Sequence, residues 1–190
     1  MARTTKRTVS ASAAESPNTN ADVVRQTDES VEPNRMVYKV KEDTPLSPTD
    51  YITVRNGFNG KLVYKSKKTG EKFVWQEFGD EQDIELAELK SARNSSKSFF
   101  ENNWFMFDNP AVISYLGVER MYEHALNIDN FDDIFNMNSE DVKNRISLLS
   151  DGQKYSVKYR ARTLIRNGTI DSLKMINALE EALDTELIER

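Results

Sequence analysis

The chain contains no cysteine and one histidine, His124. The first absence excludes disulfides, thiolate metal sites and thiol catalysis. The second excludes a multi-histidine metal site within one chain and leaves His124 as the only imidazole a serine could use; it reads as a surface or core residue. Long apolar runs are missing too, since none approaches the roughly 18–20 residues that a spanning helix needs. The opening MARTTKRTVSASAAE has a basic start with no apolar stretch behind it, so it does not read as a secretory signal. The expectation is a soluble intracellular protein with no membrane partner. Phosphate-loop and nucleophile-elbow motifs are absent: Gly57 and Gly60 are not followed by GK[ST], and GxSxG does not occur. Asp129, Asp132 and Asp133 lack the glycine and final glutamate of an EF-hand loop and read as helix caps, with Asp129 or Asn130 the candidate cap of a helix carrying Phe131, Ile134 and Phe135. With no cofactor, metal or catalytic motif, the sequence points to a non-enzymatic interaction or assembly protein.

What is present is a chain of 190 residues, 38% hydrophobic and 30% charged, with a net charge of −5. That length suits one domain plus a polar tail. The net charge confines any nucleic-acid binding to a local basic patch. Residues 1–45 form the expected arm. Most of it is rich in Ser, Thr, Ala, Asn and charge, and too poor in large apolar residues to offset its ordering entropy. It is expected to be disordered alone, ending in a basic tip of Arg3, Lys6 and Arg7. It has two readings, a solvated tail or an arm that orders along a partner. Residues 36–40 (MVYKV) suit a short strand or arm anchor, and Pro45 and Pro48 mark the linker.

Residues 46–107 read as a β-meander followed by an aromatic junction. YITVR, KLVYK and KFVWQEF are rich in β-branched and aromatic residues, and Asn56-Gly57, Asn59-Gly60 and the Gly70 turn separate them. A fourth strand is expected near Asp83, and a helix from Leu86 to about Asn94. Phe99, Phe100, Trp104, Phe105 and Phe107 are too aromatic to leave exposed and read as core between sheet and helices in preference to a ligand box or a base-stacking platform. Residues 108–190 read as a bundle of short helices. Asn109-Pro110 starts one and Gly117 ends it. Asn138 caps another, Ser150 and Gln153 suit a capping box, and Asp171 is the expected cap of the last. In that last helix Leu173, Ile176, Leu179 and Leu183 are expected to face inward, with Glu180 and Glu181 solvated. The fold class is therefore α+β: a small antiparallel β-meander packed on a bundle of short α-helices, with an extended N-terminal arm. Residues 46–190 are expected to form one unit.

Two basic patterns stand out. Lys154, Lys158, Arg162 and Arg166 recur every four residues and make one ridge on a helix, with Arg160 nearby. Like charges at that spacing repel by a few tenths of a kcal/mol per pair, so the ridge suits an acidic or phosphate partner, or a solvated face paired with neighbouring acids. Lys61, Lys65, Lys67, Lys68 and Lys72 crowd one hairpin, which reads as a solvated turn or a nucleic-acid surface. The adjacent acids Asp80, Glu81, Asp83, Glu85 and Glu88 oppose the nucleic-acid reading and favour contacts with copies of the chain or a charged partner.

Together, the segments VRNGFNGKLVYKSKKTGEKFVW, FFENNWFMFD, YLGV and LSDGQKYSVKYRAR resemble small uncharacterised proteins encoded among structural genes of tailed bacteriophages of Gram-positive hosts. The resemblance is one of overall pattern over roughly residues 50–190. It implies a virion or virion-assembly role, with other virion proteins or copies of the chain as partners, and location in the virion or, during assembly, the host cytoplasm. It carries no residue with assigned chemistry.

Overall fold

In a computed structural model, residues 45–188 are described. The expected N-terminal arm, its basic tip and the MVYKV segment lie outside the described residues. Strand β1 (Tyr51–Asn56) alternates as its sequence dictates: Ile52, Val54 and Asn56 turn inward while Tyr51, Thr53 and Arg55 turn outward. Its antiparallel partners come from farther along the chain. On one side lies β4 (Glu81–Glu85), with Ile52 facing Ile84; on the other lies β5 (Phe105–Met106), with Asn56 facing Phe105. Strands β2 (Leu62–Lys65) and β3 (Lys72–Trp75) form a separate two-stranded sheet.

The α+β class is therefore as expected, but the three leading strands are not one meander. The Asn56-Gly57 turn does not fold β1 back on β2, because β1 is already occupied. The Asn56 side chain donates to the carbonyls of Gly60 (2.9 Å) and Glu77 (2.7 Å) and accepts from Phe58 N–H. Gly57 N–H donates to Trp104 O, 2.9 Å away. A Cβ on Gly57 would sit 2.1 Å from Asn103 O, so only glycine fits this crossing.

Helix α1 (Leu86–Ser95) buries Leu86, Leu89 and Ala92 on one side. After α2 (Ser98–Glu101), Asn103 takes a left-handed turn (φ 53°) and returns the chain to β5. Helix α3 (Pro110–Leu116) starts on the Asn109 cap and stops at left-handed Gly117, as read from the sequence. Short α4 (Glu119–Tyr122) follows, then a 3-10 helix (Phe131–Asn136). The last three helices are α5 (Ser139–Ser147), α6 (Asp151–Arg166) and α7 (Leu173–Leu183). Asn138 caps α5 through two backbone N–H groups.

Three details differ from expectation. Ser172, not Asp171, caps α7 by accepting from Met175 N–H. Leu173, the first residue of α7, is 70% exposed instead of inward, while Glu180 is half-buried because its carboxylate accepts from Leu187 and Ile188 N–H.

Two hydrophobic clusters result. The first gathers Val54, Tyr64, Trp75, Phe100, Phe105, Phe107 and Tyr122 with the inner faces of α1 and α3. The second gathers Leu126, Ile134, Val142, Ile146, Val157, Leu164 and Leu179. Helices α3 and α4 thus pack with the strands, and the chain passes between clusters at Ala125 and Leu126.

Helix α6 serves both clusters. Val157, Ala161 and Leu164 enter the second. Its first two turns present small and polar groups to the first. A Cβ on Gly152 would lie 2.2 Å from Asn102 O. Ser156 Oγ donates to Gly57 O (3.0 Å) and accepts from Asn59 N–H (3.2 Å). Ser150 caps the helix through Gln153 N–H. The Gln153 side chain does not complete the capping box. It accepts from Leu126 N–H (2.9 Å) and donates to Leu126 O (3.1 Å), satisfying the backbone where the clusters meet.

Candidate interaction surfaces

The aromatic junction is structural, as its composition demanded. Phe100, Phe105 and Phe107 are buried, while Phe99 and Trp104 pack against them half-buried. Three of its polar ring ends find partners: Trp75 Nε1 donates to Val54 O (2.9 Å), Tyr122 OH to Phe105 O and Tyr64 OH to the Glu88 carboxylate, while the buried Trp104 Nε1 has none among the described residues. Burial first, and then the Glu88 hydrogen bond, push the Tyr64 phenol well above its usual range.

The predicted basic residues separate into working and unengaged groups. Lys67 caps α1 by donating to Ser95 O, placing a cation at a helix C-terminus. Lys68 lies in the turn that Ser66 Oγ closes by accepting from the N–H groups of residues 68 and 69. Lys61, Lys65 and Lys72 are exposed, and Lys65 stands directly opposite Lys72 in the hairpin, where like charges repel. On α6, Lys154 and Lys158 are half-exposed and Arg162 and Arg166 exposed. Arg162 donates to Glu186 O at 2.9 Å. Among the described residues no carboxylate reaches ion-pair distance of Lys61, Lys65, Lys72, Lys154, Lys158, Arg162 or Arg166. Arg3, Lys6 and Arg7 lie outside the described residues.

Four of the five acids of the acidic run, Asp80, Glu81, Asp83 and Glu88, have local partners. Asp80 accepts from Gln76 and Glu77 N–H, Asp83 from the Thr53 hydroxyl (2.8 Å), and Glu88 from Tyr64. Glu81 pairs with Arg55 across β1 and β4. Arg55, not singled out in the sequence, is a hub. Its side chain is only 13% exposed and reaches Asp129 (2.7 Å), Asp108 (3.6 Å) and Glu81 (3.5 Å). The Asp129 hydrogen bond raises the guanidinium above its usual value and holds the Asp129 carboxyl below its own. Asp132 likewise binds Arg160 through two nitrogens. Asp129 and Asp132 are therefore ion-pair partners and not caps; of the two cap candidates, Asn130 takes the N-cap position of the 3-10 helix.

Three further surface features were not read from the sequence. Tyr155 and Tyr159 lie 49% and 53% exposed on α6, and Phe58 stacks on Tyr155 (5.4 Å, 6°). Their signal was available as the repeated KYSV and KYRA, a lysine-tyrosine pair recurring after one turn. A half-open cleft of about 580 Å³ lies beside Tyr159, between Gly60, Phe78, Asp129, Asp132 and Arg160. His124 is exposed. Among the described residues no group of acids or histidine is placed to hold a metal ion. No described helix is long and apolar enough to cross a membrane. No family model, curated protein or solved structure matches the chain.

Proposed function

We propose that the chain is a non-enzymatic structural protein of a tailed-phage virion, a capsid, neck or tail component. It binds neighbouring subunits through its charged surfaces and its N-terminal residues. It is found in the virion, and in the host cytoplasm during assembly. One contrast supports a binding role. Buried polar side chains are spent on the fold: Asn56 and Ser66 hold loops, Glu88 holds Tyr64, Asn103 holds Met121 O, and Gln153 and Ser156 join the clusters. Outside, Lys61, Lys65, Lys72, Lys154, Lys158, Arg162 and Arg166 are among the cations without an acidic partner among the described residues, and Tyr51, Val63, Tyr155, Tyr159, Leu148 and Leu173 are exposed. Unmatched charge beside exposed aromatic and aliphatic groups suits partner recognition, where Tyr and Arg carry much of the binding energy. The resemblance to phage structural-gene products supplies the setting. Mass spectrometry of purified particles tests it. Stoichiometric presence is expected; absence overturns it, and absence combined with failed assembly of a deletion strain identifies an assembly chaperone instead.

A further inference from the structure

We propose that the outer face of α6 binds a single strand of nucleic acid, with Tyr155 and Tyr159 as base-stacking platforms and the flanking cations on its phosphates. This goes beyond the structural role above and does not depend on it.

The repeat KYSV-KYRA sets the two tyrosines one helical turn apart, about 6 Å along the axis. Phe58 covers one side of Tyr155 and fixes its ring, leaving half of the residue open to solvent. Lys158 and Arg162 lie three residues beyond Tyr155 and Tyr159, on the adjoining row of the helix surface. No described carboxylate neutralises them. A loop that precedes the basic hairpin is anchored on the same helix. The loop carrying Phe58 and Asn59 is pinned to α6 through Tyr155 and Ser156, and Lys61 leaves it directly into the hairpin of Lys65 and Lys72. The loop that leads into Lys61 thus packs on α6 beside the two rings.

Stacking rings between phosphate-binding cations are the recognition chemistry of unpaired strands. A duplex would satisfy the cations but hides its base faces. An acidic protein segment would satisfy them too, without flat rings to match two tyrosines in register. The net charge of −5 opposes approach at long range, but salt screens that field beyond about 8–10 Å, so the charges within that distance of the strand decide contact.

The test is fluorescence anisotropy of the full chain with a labelled oligothymidylate of about 16 nucleotides at low salt. Saturable binding is expected, with a log–log salt slope near −3, about 0.7 for each of four phosphates neutralised. Tyr155→Ala and Tyr159→Ala should each weaken binding about 5- to 150-fold, while Tyr155→Phe and Tyr159→Phe retain it. Lys158→Glu with Arg162→Glu should abolish it. Tyr155, Tyr159 and Arg162 are exposed and Lys158 is half-exposed, and circular dichroism reports whether each variant keeps its fold. Absence of binding at low salt overturns the proposal. So does binding indifferent to the tyrosines, a duplex that binds as tightly, or a polyglutamate peptide that outcompetes the strand. Particle composition does not enter this readout, so the two proposals fail independently.

Discussion

In the first cluster rings meet rings: Phe105 contacts Tyr64, Trp75, Phe99 and Phe100 with centroids 4.8–5.5 Å apart. In the second, Val142, Ile146, Val157, Leu164 and Leu179 do most of the packing, and Phe131 meets Phe78 at its margin. The ring cluster is directional twice over. Edge-to-face pairs fix mutual orientation, and Trp75, Tyr64 and Tyr122 are tied at their polar ends. The aliphatic cluster constrains volume more than direction. Such cores tolerate shape-conserving exchange, whereas tied rings do not. The difference teaches that the strand half sets exact loop positions, including the loop that carries Phe58, and the helical half supplies a stable back for α6.

The largest expected effect breaks the ring cluster. Phe105→Ala should destabilise the protein by about 3–5 kcal/mol in urea denaturation. Next comes the joint between clusters. Gln153→Ala strands the N–H and C=O of Leu126 and should cost about 1–3 kcal/mol. Both tryptophans pack with the first cluster, so fluorescence follows it while circular dichroism weights the helices. The two unfolding curves should coincide in the parent chain and separate in Gln153→Ala; coincidence in both would mean that this joint does not couple the clusters. Leu179→Met tests tolerance directly and should cost under about 1.5 kcal/mol, less than Phe100→Leu measured the same way. The smallest effect is electrostatic. Asp129 has a folded pKa below its ordinary 3.8, so its contribution is present above that pH and lost as pH falls through the lower folded value. Its side chain is 63% exposed, which limits the gain to about 0.2–1 kcal/mol. Asp129→Asn should remove that acid-sensitive step from stability measured across pH, leaving neutral-pH stability slightly lower.

Local chemistry made much of this legible. Pro110, Gly117, Asn138 and Ser150 act at short range, and each begins or ends its helix as read. The aromatic run reads as core in preference to a ligand box, and it packs as core. What was not legible is non-local. The two residues of β5 claim one edge of β1 from far along the chain, and nothing in YITVRNG announces that edge as taken. Leu173 fits an inward spacing, yet it stands at the helix start, exposed. Of the expected surface residues, the unmatched cations were readable from spacing. Arg55 was not, because its three acids come from β4, the residue before Asn109 and the loop before the 3-10 helix. Tyr155 and Tyr159 were present as a repeat, but their exposure depends on which face of α6 the clusters claim.

The facing pair Lys65 and Lys72 has a further consequence. Each strand of that hairpin has a single described partner, so its free edge is a template onto which another extended chain can add. Lysines at such edges deter self-association. Their mutual repulsion is thus a modest local cost that keeps many copies, crowded together, from polymerising through their ribbons. Replacing both with threonine should leave the fold intact and make concentrated solutions scatter light.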